Sequence, residues 1–148
     1  LAYAAGRTDY LEVLTHEYCH MTQWLDGIQL WTDAIESMGY IDKWLAGEKV
    51  RNIGKHISIS RDLELDNERR TVKMIKKWAL PINAGEYTKK ANAYIHFYNY
   101  LKMSRKWSVP PNTPYSNPRV LKKMSTRFNM DYEALSPELK KIFVEENI

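Results

Sequence analysis

The chain has 148 residues, 44% of them apolar, with five Trp, ten Tyr, one Cys and a net charge of +4. That is enough apolar material for one buried core and too much for a disordered chain, and no apolar run approaches the roughly 20 residues a membrane span needs. The lone Cys19 excludes an internal disulfide, no charged-then-apolar leader opens the chain, and a soluble cytoplasmic protein is the expectation, with no membrane partner.

A first residue of Leu1 rather than Met points to a processed or trimmed chain. Charge is segregated: residues 1–68 carry six Lys/Arg against twelve Asp/Glu, residues 69–127 fourteen against one, and residues 128–148 two against five.

Asp9 followed by Glu12 makes a capping-box-like start for a first helix that runs to Asp26 and stops at Gly27. Leu11, Leu14, Tyr18, Met21 and Leu25 recur at three and four and are expected to form its core stripe. Val13, His16, Glu17, His20 and Trp24 then lie along another face. Thr32 or Asp33 caps a second helix, which breaks at Gly39 and resumes through Trp44 to Gly47. The segment KHISIS, Lys55–Ser60, alternates apolar and polar with β-branched residues and reads as a short strand. Ser60 caps a third helix with Asp62 and Glu64 in its first turns and Lys73, Lys76 and Lys77 near its end, as the helix dipole prefers; Pro81 ends it.

A fourth helix covers Glu86 to about Lys106, where Tyr87, Ala91, Tyr94, Ile95, Tyr98 and Leu101 recur at helical spacing. VPPNTPYSNP, Val109–Pro118, is a loop, since its prolines lack amide protons. Two shorter helices follow, the last announced by Ser136 as cap and Pro137 in the first turn. The expected fold class is α-rich α+β with one small sheet. Neither an internal repeat nor a long linker divides the chain, which reads as one domain, 1–148.

The chemistry concentrates in HEYCH. Residues four apart share a helix face, so His16 and His20 can direct their imidazoles at one ion, with Glu17 beside them. Cys19 points about a hundred degrees away from that pair on an ideal helix and reads as a small buried hydrophobe. A catalytic zinc takes three protein ligands and keeps an open position. The third helix offers Glu68, which fills the gap in a stripe of Leu65, Val72, Ile75 and Ala79 and so faces inward, where a carboxylate must be paired or metal-bound. Glu64, one turn earlier, is the alternative ligand. Asp66 falls with Arg69, Arg70, Lys73 and Lys77 on the basic face and is set aside. A buried Glu68 paired with an arginine or a tyrosine hydroxyl is the competing structural account.

An HExxH helix followed one helix later by a ligand glutamate resembles the gluzincin class of zinc metallopeptidases. The run from Glu68 through Thr71, Met74, Ile75, Trp78 and Leu80 to Pro81 is similar to the third-ligand helix of the ImmA/IrrE-type peptidases, although Thr71 and Val72 stand where that family carries Ala and Asn, and the spacer from His20 is longer. The resemblance covers about residues 13–81, and the whole chain looks like metallopeptidases of phage origin, acting then in the host cytoplasm. It implies a zincin-like core in residues 1–81 with a helical extension over 82–148, Zn2+ held by His16, His20 and Glu68, Glu17 as general base, and a protein or peptide as substrate. Tyr94, Tyr98 and His96 are candidate oxyanion donors, the two tyrosines reading equally as core.

The competing function is a nucleic-acid-associated or interaction protein with a structural or degenerate metal site, working through the basic region 69–127. Arg105, Lys106, Arg119, Lys122, Lys123 and Arg127 would meet phosphates there, and Trp107 and Tyr115 would stack on bases. A solvated helix face explains the same charges.

Overall fold

The computed structural model describes residues 8–148; residues 1–7 of the expected domain lie outside the described residues. Six helices follow in order: α1 (Tyr10–Leu25), α2 (Gln29–Leu45), α3 (Ile53–Lys77), α4 (Ala84–Ser104), α5 (Pro118–Leu121) and α6 (Pro137–Glu145). Among the described residues there is no strand, only an isolated bridge between Val109 and Asn112, so the architecture is α-rich without the expected sheet. No described helix is long and apolar enough to cross a membrane.

The segment Lys55–Ser60 is helical and lies in the first two turns of α3. Its alternation is real, but Ile53, Ile57 and Arg61 also recur every four residues, and Ile57, Ser60 and Arg61 are buried in that register. Packing on both flanks thus decides against β propensity. At 25 residues and 1.5 Å per residue α3 is about 38 Å long, and α1, α2 and α4 all pack against it. α2 is likewise one uninterrupted helix: Gly39 sits within it on an exposed face, and the N-cap is Ile28 rather than Thr32 or Asp33.

Of the expected caps Ser136 holds, whereas Ser60 lies buried inside α3, whose N-cap is Asn52; Asn83 and Asn117 are further caps with side-chain acceptors. Asn83 Oδ1 accepts from the Gly85 and Glu86 amides at the start of α4, Asn117 does so for α5, and Ser136 accepts from Leu139 ahead of Pro137 in α6. Asp9 makes no cap bond; Glu12, its expected capping-box partner, instead pairs with Lys90 of α4 at 2.6 Å. Gly27, at φ +61°, turns the chain out of α1 as its sequence position requires.

Apolar clusters cross residue 81 freely. Val72 and Ile75 of α3 pack with Tyr87 and Ala91 of α4, and Ile41 and Ile57 pack with Tyr98. The largest cluster joins Phe97 and Leu101 of α4 to Val120, Ile142 and Phe143. On another face of α4, Asn92 and Asn99 donate to the carbonyls of Ser125, Arg127 and Tyr132, while His96 Nε2 meets Asn129 at 2.8 Å. Buried Arg61 adds bonds to the Tyr132 carbonyl and Glu133. Those bonds fasten the 125–133 segment across α3 and α4.

Candidate metal centre

α1 does not bury its large apolar stripe. Tyr18 and Leu25 are 43% and 64% exposed, and Thr15, Cys19 and Gln23 are the positions turned into the protein. Small or fully hydrogen-bonded side chains make that reversal possible. Thr15 returns its hydroxyl to the Leu11 carbonyl, and the Gln23 amide donates to the Leu63 carbonyl at 3.0 Å and to Asp66 at 2.8 Å, so no buried polar group on this face is wasted. The consequence is that His16 and His20 look toward α3.

Their rings meet edge-on with centroids 4.8 Å apart. Glu64 Oε2 lies 3.5 Å from His20 Nε2 and 3.7 Å from His16 Nε2, and ligand atoms of the three residues all fall within 4.8 Å of one another. A tetrahedral zinc with bonds of about 2.0–2.1 Å spaces its ligand atoms about 3.4 Å apart, so a small closure would seat one. Glu64 Oε2 is also buried without a hydrogen-bond partner, an orphaned carboxylate oxygen facing two imidazole nitrogens. The donor set, two imidazoles and one carboxylate, suits zinc and equally iron and related divalent ions.

Glu68 is inward, as its place in the α3 stripe predicts, but it stands on the other side of His16. Its Oε1 is 3.3 Å from His16 Nδ1, and its Oε2 accepts the Tyr87 hydroxyl at 2.6 Å. The structure therefore brings Glu64, the alternative, into the three-ligand group with His16 and His20, while Glu68 takes the tyrosine-paired position behind His16. Asn67 donates to the His16 carbonyl from the same turn. Asp66 is no member of the group, yet it is not idle on a basic face: it receives Gln23 and Arg70, and Arg70 continues to Asp26 at 2.5 Å.

Electrostatics follow from this crowd of carboxylates. Burial works against charge on His16, but the hydrogen bond to Glu68 and the charges of Glu68, Glu64 and Glu17 prevail and push its pKa up to about 9. For His20 burial again opposes, and the bond and charge of Glu64 raise the pKa above the usual imidazole range. Burial, then the Glu68 charge, pushes the Tyr87 hydroxyl far up, so it remains a donor. Tyr94 and Tyr98, whose hydroxyls lie 3.3 Å apart, are also raised by burial and, among other charges, by Glu64. His96 faces Asn129 and Tyr132 instead, and burial followed by Arg61 lowers its pKa.

Glu17, the next residue after His16, is exposed, and Trp31 of α2 borders His20 with ring centroids 6.1 Å apart. Cys19 is fully buried outside the ligand set, with its thiol pKa raised by burial. Gln23, the Nδ1 partner of His20, was not singled out in the sequence; the one available signal is its three-residue spacing from His20.

The basic region meets acids from the flanking segments. Lys90 pairs with Glu12, Arg119 with Glu145 and Glu146, and Lys123 with Glu138. Arg105 donates to the carbonyls of Trp44 and Glu48, and Trp107, half-buried, packs against Phe97 and Tyr98. Lys106, Lys122, Arg127 and Tyr115 are exposed. No family model matches this chain, and neither a curated protein nor a solved structure is significantly similar to it.

Proposed function

We propose that the chain is a zinc-dependent hydrolase of peptide bonds, with the metal held by His16, His20 and Glu64 and with Glu17 as general base. The observation that carries the reading is the buried Glu64 oxygen, which makes no hydrogen bond of good geometry and lies 3.5 and 3.7 Å from the Nε2 atoms of the two histidines of HEYCH. A zinc ion bound there supplies an acidified water and polarises a carbonyl oxygen.

The chain's own residues then have separable tasks. Glu17 takes a proton from the attacking water and returns it to the departing amine as the C–N bond breaks, a task its exposed place beside His16 permits. Glu68, held by Tyr87, lies 3.3 Å from His16 Nδ1 and Asn67 Nδ2 lies 3.1 Å from the same nitrogen, so two side chains fix the ring with Nε2 turned to Glu64. In this reading HEYCH and the Glu64–Glu68 turn of α3 form a zincin-like pair of helices without a sheet among the described residues. Of the six cations named for a nucleic-acid role, Arg119 and Lys123 pair with acids of the C-terminal segment and Arg105 with backbone carbonyls, which leaves Lys106, Lys122 and Arg127 for that second reading.

Incubating zinc-loaded protein with denatured casein and following new peptides by mass spectrometry tests the assignment. Glu17→Gln is expected to keep its zinc and lose about 10²–10⁴ in turnover. Full activity in that variant removes Glu17 from the mechanism, and a zinc-loaded wild type that cleaves nothing removes the peptidase reading.

A further inference from the structure

We propose that Gln23 is a positioning residue that dictates which nitrogen His20 offers to a metal, an inference that rests on the metal-site reading above. Gln23 is fully buried, three residues after His20, and its Oε1 lies 2.8 Å from His20 Nδ1. An amide at that distance could present either its oxygen or its nitrogen, with opposite consequences. With oxygen toward the ring, His20 carries its proton on Nδ1 and leaves Nε2 as a lone pair facing Glu64. With nitrogen toward the ring, Nε2 bears the proton and binds no metal.

α3 decides between them. The far end of the Gln23 amide meets two acceptors, the Leu63 carbonyl at 3.0 Å and Asp66 Oδ2 at 2.8 Å. Neither can donate a proton, so a carbonyl oxygen placed there would sit against two other oxygens in a buried setting, whereas the NH2 group satisfies both with its two protons. Asp66 is in turn fixed by Arg70 Nε at 2.7 Å, and Arg70 by Asp26 and the Thr22 hydroxyl. The chain Arg70, Asp66, Gln23, His20 therefore transmits one hydrogen-bond polarity from a surface arginine to the imidazole, and it explains a fully buried glutamine in an otherwise small-residue face. Glu68 serves His16 Nδ1 in the corresponding position, so both histidines turn Nε2 to Glu64.

Long-range ¹H–¹⁵N spectra of metal-free protein, at alkaline pH where the imidazole is neutral, read the tautomer without any metal. Wild type is expected to show His20 as the Nδ1–H form, and an Nε2–H form overturns the proposal. Zinc affinity, measured by competition with a chromophoric chelator, is expected to fall about 10–100-fold in Gln23→Leu. The wild-type tautomer decides the matter if Gln23→Leu fails to fold. Unchanged affinity in folded Gln23→Leu contradicts the role. A wild type that binds no zinc removes the metal-site reading, and the tautomer result still decides what Gln23 does.

Discussion

His16 has a carboxylate near each ring nitrogen, Glu68 at Nδ1 and Glu64 at Nε2, and in the metal-free protein that arrangement favours the imidazolium. Its pKa of about 9 exceeds the ordinary 6.5, so protonation stabilises the fold fully below pH 6.5, and that contribution is lost as pH rises through 9. His20 shifts in the same direction. Thermal melts of metal-free protein are therefore expected to fall in midpoint between pH 6.5 and 9, and zinc, which takes neutral imidazole, to stabilise the protein increasingly over the same window. A metal-free midpoint that stays level or rises there contradicts this electrostatic account. At this scale the sequence exposed the two histidines and both glutamates, and preferred Glu68. Glu64 and Glu68 lie one helical turn apart on one face of α3, and only the side of the His16 ring each reaches separates their places. Gln23 left no trace in composition or periodicity, because a buried amide is recognised by its partners alone.

Helix positions were legible where local chemistry governs them. Gly27 and Ser136 with Pro137 mark boundaries through backbone freedom or a capping oxygen, and α4 follows its apolar spacing, although its cap Asn83 went unread. Misreadings arose where two registers fit one segment. Lys55–Ser60 satisfies both a two-residue and a four-residue period, and α1 has an apolar stripe that its hydrogen-bonded Thr15–Cys19–Gln23 face displaces from the interior. Gly39 belongs to the same class: it reads as a break but lies in continuous helix, with nothing within 4 Å of the position a Cβ would take. Gly39→Ala is expected to stabilise the protein by about 0.5–1 kcal/mol in denaturant unfolding, since alanine suits the helix and restricts the unfolded chain. Destabilisation there would mean that α2 is bent or interrupted at this point.

Over the whole molecule, the segregated charge becomes a map of contacts. The acidic first segment pairs with the basic middle through Asp26–Arg70 and Glu12–Lys90, and the acidic tail does so through Glu138–Lys123 and Glu145 and Glu146–Arg119. Composition signalled a basic region but not its partners, because pairing depends on which helices α3 and α4 bring alongside. α3 is the common support: it receives α1 on the side bearing Glu64 and Glu68 and α4 on the side that brings Tyr87 to Glu68. The central claim is that this packing builds one three-ligand metal site. It is tested most directly by zinc content per chain, by elemental analysis of untagged protein after zinc loading and removal of excess, in wild type, His20→Ala, Glu64→Ala and Glu68→Gln. The account predicts about one zinc per chain in wild type, none in His20→Ala or Glu64→Ala, and retained but weaker binding in Glu68→Gln. A wild type without zinc contradicts the site itself, and zinc that survives in Glu64→Ala but is lost in Glu68→Gln contradicts Glu64 as its third ligand.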